Sequence, residues 1–117
     1  MPSKLLRLLF WAALIFAFGA ALMPRPPQIP GDPSDKAQHI VAFLTLAALA
    51  VAAYPRARLL RIGILLSAFG AAIEFFQLIP DLHRDGDVAD WAADTAAIAV
   101  VLTLAALVRR RRKAARF

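Results

Sequence analysis

Residues 62–79 read IGILLSAFGAAIEFFQLI, a run in which Glu74 is the single charged side chain. A helix needs about 20 mostly apolar residues to cross the roughly 30 Å hydrocarbon core of a bilayer. The apolar residues form one continuous run instead of following a helical or strand periodicity. This stretch therefore predicts a membrane-spanning helix.

Further apolar runs lie at residues 8–23, 40–54 and 91–108. The run at 40–54 is short and needs the preceding turn, with Asp35, Lys36 and His39, to cross a bilayer. Hydrophobic residues make up 61% of the 117 residues, against roughly 45–50% in soluble proteins, and this length allows at most one domain. We therefore predict an all-α membrane protein, a single domain folded as a four-transmembrane-helix bundle.

Proline-containing connections separate these runs, because proline removes a backbone donor and ends helices. Ser34 is a candidate N-cap for the second helix. The predicted segments are a first span at about 5–23, an outer loop at 24–34, a second span at about 35–54, a third span at about 59–79, an outer loop at 80–89, a fourth span at about 90–108 and a basic tail at 109–117.

Lysine and arginine are unevenly divided between the two sides of these spans. Eleven of the 14 lie in the N-terminal segment, the connection at 55–61 and the tail, whereas three lie toward the other side together with all eight acidic residues. Cytoplasmic segments are enriched in lysine and arginine, so both termini are predicted to be cytoplasmic. The tail also suits contact with anionic lipid. Nucleic-acid binding is not predicted, because no nucleic-acid motif accompanies the charge.

The first span has an alternative interpretation as a cleavable signal peptide. Lys4 and Arg7 precede an apolar stretch that ends in the small residues Gly19-Ala20-Ala21, as in secretory signals. Its run of bulky residues is long for such a signal, so we favour a retained span.

Polar residues follow one face of the third and fourth spans. A charge inside a span costs a few kcal/mol, so Glu74 should face the protein interior and have a partner. Steps of three and four residues place small and polar residues on one face of each helix. These faces comprise Gly63, Ser67, Gly70, Glu74 and Gln77 in the third span and Asp87, Asp90, Asp94 and Ala97 in the fourth.

Several carboxylates in one low-dielectric site require protons or cations for compensation. The local cationic candidates are Lys36, His39 and Arg84, and Asp35 lies on the same turn as Lys36 and His39. We predict one polar site near the outer surface. The alternative is a structural ion-pair network that orients the four helices.

Metal binding is left open by the sequence, and no cofactor is predicted. His39, Glu74, Asp87, Asp90 and Asp94 are competent ligands, but their spacing is not diagnostic. The segment at 81–86 superficially resembles a calcium loop, yet Ala92 occupies the position of the required glutamate. The chain has no cysteine, and no common hydrolase or nucleotide-binding motif is present.

The order of these polar residues resembles the VanZ-like family of small bacterial membrane proteins. That pattern has Asp-Lys-x-x-His followed by an aromatic, then Glu-x-x-Gln, then Arg-x-x-Asp-x-x-Asp before the last helix. The matching residues over roughly 34–108 are Asp35, Lys36, His39, Phe43, Glu74, Gln77, Arg84, Asp87 and Asp90. This chain departs at Asp94, where the family usually has asparagine, and at Ala97, where it usually has glycine.

The resemblance implies a multi-pass protein of the bacterial cytoplasmic membrane. One family member is associated with reduced susceptibility to teicoplanin, which does not establish resistance as this chain's role. We expect the site to bind or process an envelope lipid or lipoglycopeptide, with catalytic candidates His39, Glu74 and Asp90 if there is catalysis. The expected ligand-binding set is Asp35, Lys36, His39, Glu74, Gln77, Arg84, Asp87, Asp90 and Asp94.

Two alternatives remain open for the function. The carboxylates suit a proton- or cation-coupled component of a small transporter, because they outnumber the local bases. The small-residue stripe suits an interaction or assembly protein that forms a homo- or hetero-oligomer.

Overall fold

The computed structural model describes residues 3–23, 33–78 and 88–115, with the backbone alone for 33–36. Within these ranges the chain forms helices and no strands. The helices are α1 (Ser3–Leu22), α2 (Pro33–Ala53), α3 (Leu59–Gln77) and α4 (Val88–Ala115). The prediction of an all-α protein with four helices is confirmed.

Two helix ends differ from the sequence-based expectation. Helix α2 begins at Pro33, so Ser34 lies in its first turn and does not precede it as a cap. Proline suits the first helical position, because its missing N–H would have no partner there. Helix α4 continues through the basic tail to Ala115, since alanine, arginine and lysine favour helices and positive charge is stabilising at a helix C-terminus.

The helices α1, α3 and α4 are long and apolar enough to cross a membrane, with 20, 19 and 28 residues. The apolar part of α2, Ala37–Ala53, is shorter. Length and composition therefore identify three candidate spans, and α2 differs from the other helices.

Helix α2 supplies the largest share of the described core, five of its eleven buried apolar residues. Its buried face repeats at steps of three and four residues, as expected for one side of a helix. The buried apolar residues of α2 are Phe43, Leu46, Ala47, Ala50 and Ala53. Helix α4 packs against α2 and α3, and α1 packs against α2. Because three helices cover it, α2 has less need of a long apolar surface.

The outward faces of the other helices are apolar. Large side chains remain exposed there, including Phe16 of α1 at 77%, Phe75 of α3 at 67% and Leu104 of α4 at 58%. Soluble monomers seldom expose a continuous apolar surface of this extent. The bundle therefore has a polar interior at one end and an apolar exterior along its length.

Consecutive helices run antiparallel, so the bundle has two chemically different ends. The acidic end is where α1 and α3 finish and α2 and α4 begin, and the acidic side chains described there are Glu74, Asp90 and Asp94. The basic end is the opposite one. The described lysines and arginines of the basic end are Lys4, Arg7, Arg56, Arg58, Arg61, Arg109, Arg110, Arg111, Arg112 and Lys113.

Candidate functional site

His39 introduces a polar group into the core at the acidic end. It lies on the buried face of α2, one turn before Phe43, and its exposed fraction is 7%. It lies six positions after the first residue of α2, which corresponds to about 9 Å along the helix. The imidazole is therefore held inside the bundle, below the end where α2 begins.

Glu74 of α3 and Asp94 of α4 lie beside this imidazole. The Nδ1 atom of His39 is 3.3 Å from Oδ1 and 3.5 Å from Oδ2 of Asp94. The same Nδ1 atom is 3.9 Å from Oε1 of Glu74. One ligating atom from each residue lies within 4.8 Å of the others. We call His39, Glu74 and Asp94 the three-helix cluster.

The cluster is deeply buried. Asp94 has 0% and Glu74 has 8% of its surface exposed. The Oδ1 atom of Asp94 has no hydrogen-bond partner among the residues that the structure describes, although it lies close to the imidazole. A buried carboxylate oxygen without a hydrogen bond is costly, so the cluster has capacity for a further donor or a cation.

Gly70 allows this close approach of α3 to the other two helices. A Cβ atom at position 70 would lie 3.3 Å from Cζ of Phe43 and 3.4 Å from Oδ2 of Asp94. The predicted stripe of α3 therefore faces α2 and α4 of the same chain. Small residues let helices approach closely, and here they bring a carboxylate against a helix backbone.

Hydrogen bonds between α3 and α4 fix the rotation of these helices next to the cluster. The hydroxyl groups of Ser67 and Thr95 are 3.0 Å apart. The indole N–H of Trp91 donates to the carbonyl oxygen of Ser67 at 3.1 Å. Since Thr95 follows Asp94 directly, these contacts orient the cluster aspartate. Thr95 and Trp91 were not among the predicted site residues, although both are polar groups within an apolar run.

Two further predicted residues are buried near the cluster without belonging to it. Gln77 is 2% exposed, and its Nε2 atom donates to the carbonyl oxygen of Ala21 at 2.9 Å. This bond connects α3 to the last turn of α1. Asp90 is 6% exposed and lies in the first turn of α4, where a negative charge is favourable.

The remaining predicted residues cannot be placed in the site. Arg84 and Asp87 lie outside the described residues, and for Asp35 and Lys36 the backbone alone is described. The structure therefore brings together one base and two acids of the predicted set. Their proposed roles in ligand binding or catalysis are not tested by this geometry.

An imidazole between two carboxylates supports a limited set of chemistries. Neutral imidazole and carboxylates are ligands for divalent first-row metals. The same groups can exchange protons with a bound molecule. The burial of all three residues favours a small occupant of the cluster over a large one.

No protein-family model, no curated protein and no solved structure matches this chain. The resemblance to the VanZ-like family depends on the sequence motifs alone.

Proposed function

We propose that the chain is a four-helix protein of the bacterial cytoplasmic membrane with both termini in the cytoplasm. The support is the apolar exterior of α1, α3 and α4 and the separation of charge between the two ends. In this arrangement α2 crosses as the central helix, and the basic end lies on the cytoplasmic side. The acidic end then lies at the outer surface.

We further propose that the three-helix cluster binds a divalent transition-metal ion such as Zn²⁺. The main support for this proposal is the 3.3 Å separation between Nδ1 of His39 and Oδ1 of Asp94. Two atoms bound tetrahedrally to zinc at about 2.0–2.1 Å lie roughly 3.3–3.4 Å apart. The observed separation therefore fits two ligands of one ion.

The third ligand, Glu74, needs a small movement to join the same ion. Its Oε1 atom is 3.9 Å from Nδ1 of His39, somewhat beyond the separation expected for two ligands on one ion. A glutamate side chain can close this gap by rotating about its terminal bonds. Three protein ligands with a vacant coordination position are typical of catalytic zinc sites.

Charge balance also supports a divalent ion. The carboxylates of Glu74 and Asp94 together carry the charge that one divalent cation neutralises, and His39 binds metals as the neutral imidazole. A buried group of charges is tolerated when its sum is close to zero and each member has a close partner. Calcium and magnesium fit less well, because both prefer oxygen ligands alone.

An ion held by His39, Glu74 and Asp94 would supply a binding centre for anions at the outer surface. With three protein ligands, it would have a position left for an oxygen atom from the anionic headgroup of an envelope lipid or lipoglycopeptide, the ligand class implied by the VanZ-like resemblance. Polarisation of that oxygen is the chemistry that a metal supplies in such sites. The burial of His39, Glu74 and Asp94 would keep the ion below the surface.

The test is metal binding to the purified full-length protein in detergent. Zn²⁺ is titrated calorimetrically, and Co²⁺ serves as a visible reporter of coordination. We expect Asp94→Asn and Glu74→Gln to weaken Zn²⁺ binding by about a hundredfold or more, since loss of even an outer partner of a metal ligand costs 10–100-fold. Both variants keep the shape of the side chain, so the fold should survive.

Asp90→Asn is the matched control for these variants. Asp90 is also buried and on α4, but it is not a member of the three-helix cluster, so Zn²⁺ binding should be retained. Equal losses in Asp90→Asn and Asp94→Asn would reject the assigned ligands. Competition by Ca²⁺ or Mg²⁺ as effective as that by Co²⁺ would reject a transition-metal site.

A second measurement separates metal binding from the ligand class. Addition of a short-chain phospholipid should change the visible spectrum of the Co²⁺-loaded protein, because an anionic oxygen enters the coordination sphere. An unchanged spectrum would reject the proposed headgroup contact without contradicting the metal site.

A further inference from the structure

The basic end contains a polar pocket that the proposed metal site does not use. Its volume is about 380 Å³. The pocket lies between the start of α1 and the connection from α2 to α3. Its lining residues are Ser3, Arg7, Tyr54, Pro55, Arg56 and Ala57. Two arginines therefore line a cavity of a size that accepts a small anionic group.

Arg7 is fixed in position by two contacts. Its Nε atom donates to the carbonyl oxygen of Ala53 at 3.4 Å, and its guanidinium carbon lies 5.0 Å from the ring centroid of Tyr54. Within the described part of the chain, its terminal nitrogens have no hydrogen-bond partner. A guanidinium held in this way is preorganised to donate two parallel hydrogen bonds to a phosphate.

Aromatic residues place this pocket at the level of lipid headgroups. The indole N–H of Trp11 donates to the hydroxyl oxygen of Tyr54 at 2.8 Å, and Trp11 is 49% exposed. Tryptophan and tyrosine concentrate at membrane–water interfaces. The lysines and arginines whose side chains the structure describes lie at the same end, so a phosphate in the pocket would lie in a positive field.

We infer that this pocket binds the headgroup phosphate of an anionic phospholipid of the cytoplasmic leaflet. Arg7 and Arg56 donate hydrogen bonds to the phosphate oxygens, while the acyl chains lie along the apolar outer face of α1. Basic pockets on the cytoplasmic side of membrane proteins bind anionic headgroups in this way. The inference depends on the proposed membrane orientation but not on the metal site.

The experiment uses Trp11 as a reporter of the bound lipid. The Trp91→Phe substitution removes the second of the two tryptophans, which lies at the acidic end. This full-length protein is placed in phosphatidylcholine vesicles with a small fraction of brominated phosphatidylglycerol or brominated phosphatidylcholine. Bromine quenches Trp11 fluorescence on contact, so we expect stronger quenching by phosphatidylglycerol at equal fractions.

Arg56→Ala should reduce this preference about fivefold, since one basic residue at a membrane surface contributes about that factor. Arg58→Ala is the matched control, because Arg58 carries the same charge nearby but does not line the pocket, and it should retain most of the preference. Arg7→Lys keeps the charge and removes the planar fork, so it should weaken the preference while preserving the fold.

Equal losses in the Arg56 and Arg58 variants, with no effect of Arg7→Lys, would overturn the inference in favour of diffuse surface charge. If the two lipids quench Trp11 equally and excess inorganic phosphate lowers the quenching by phosphatidylglycerol, the inference would be overturned in favour of a free anion. Selective loss in the pocket variants alone would support it.

Discussion

The two ends of the bundle handle charged side chains in opposite ways. At the acidic end, His39, Glu74 and Asp94 are buried and face one another across three helices. At the basic end, Arg7 and Arg109 extend to backbone carbonyl oxygens near the end of α2. Long basic side chains can reach a helix end or the surface, whereas short acidic ones stay at the depth of their backbone.

This difference distinguishes an end where charged side chains also hold the helices together from one where their burial has no such structural benefit. At the basic end Arg7 satisfies a carbonyl group that the terminus of α2 leaves without a helical partner, and Arg109 satisfies two in the connection that follows. Burial of two carboxylates and an imidazole has no comparable structural benefit, because apolar side chains would pack the helices at lower cost. The acidic end is therefore where a buried binding site, distinct from the lipid pocket of the basic end, is expected.

The strongest test of the comparison is to measure on which side of the membrane each end lies. The chain has no cysteine, so single cysteines can be introduced by Val88→Cys at the acidic end and Arg110→Cys at the basic end. Both positions are exposed. In intact cells, a membrane-impermeant maleimide should label the Val88→Cys variant and leave the Arg110→Cys variant unlabelled.

Detergent permeabilisation supplies the control, because it should make both cysteines reactive. Labelling of Arg110→Cys and not of Val88→Cys in intact cells would show that the bundle has the opposite orientation. The proposed outer location of the cluster and the cytoplasmic location of the lipid pocket would then both fail.

A second prediction concerns packing at the acidic end. Gly70→Ala should destabilise the protein by about 1–3 kcal/mol, because overpacking a tight contact forces neighbouring groups to move. The added methyl group would press on Phe43 and on Oδ2 of Asp94, so Zn²⁺ affinity should fall as well. The free energy of unfolding is measured by titrating the micelle-bound protein with sodium dodecyl sulfate.

Gly19→Ala is the matched control, since a Cβ atom at position 19 has nothing within 4 Å. There the substitution should stabilise α1 by about 0.5–1 kcal/mol, because alanine favours a helix over glycine. Similar effects of the two substitutions would show that the close approach at position 70 is unimportant.

The smallest effect is expected at the basic end. Arg109 donates to the carbonyl oxygens of Ala57 at 3.4 Å and Pro55 at 3.2 Å, so Arg109→Ala should cost about 1 kcal/mol. The adjacent Arg110 is exposed, and Arg110→Ala should be close to neutral. The same unfolding titration measures both. A larger loss at position 110 would contradict the structural role given to position 109.

Much of the fold was predictable because hydropathy and charge act along the chain. The apolar runs predicted four helices, which the structure confirms. The basic tail was predicted as a segment following the last span, and its helical structure was not anticipated. Membrane insertion and the orientation of the termini stay predictions that the cysteine experiment tests.

The site was predictable in part. Helical spacing placed Glu74 on an inward face together with Gly70 and Gln77, and these residues are buried. The role carried over to position 94 was the doubtful one, because the family pattern usually has asparagine there. In the structure Asp94 is the most buried of the described acidic residues and the closest of them to His39 among the contacts of the three-helix cluster.

The sequence by itself determined how many helices form and which end of the bundle carries each charge, because these properties add up locally from neighbouring residues. Only the tertiary structure decided which polar residues meet. Gln77 contacts a carbonyl oxygen of α1, whereas Glu74, one turn earlier, joins His39 and Asp94. That choice depends on how each helix is rotated against its neighbours, which the packing of Gly70, Phe43 and the hydrogen bonds of Ser67 fixes.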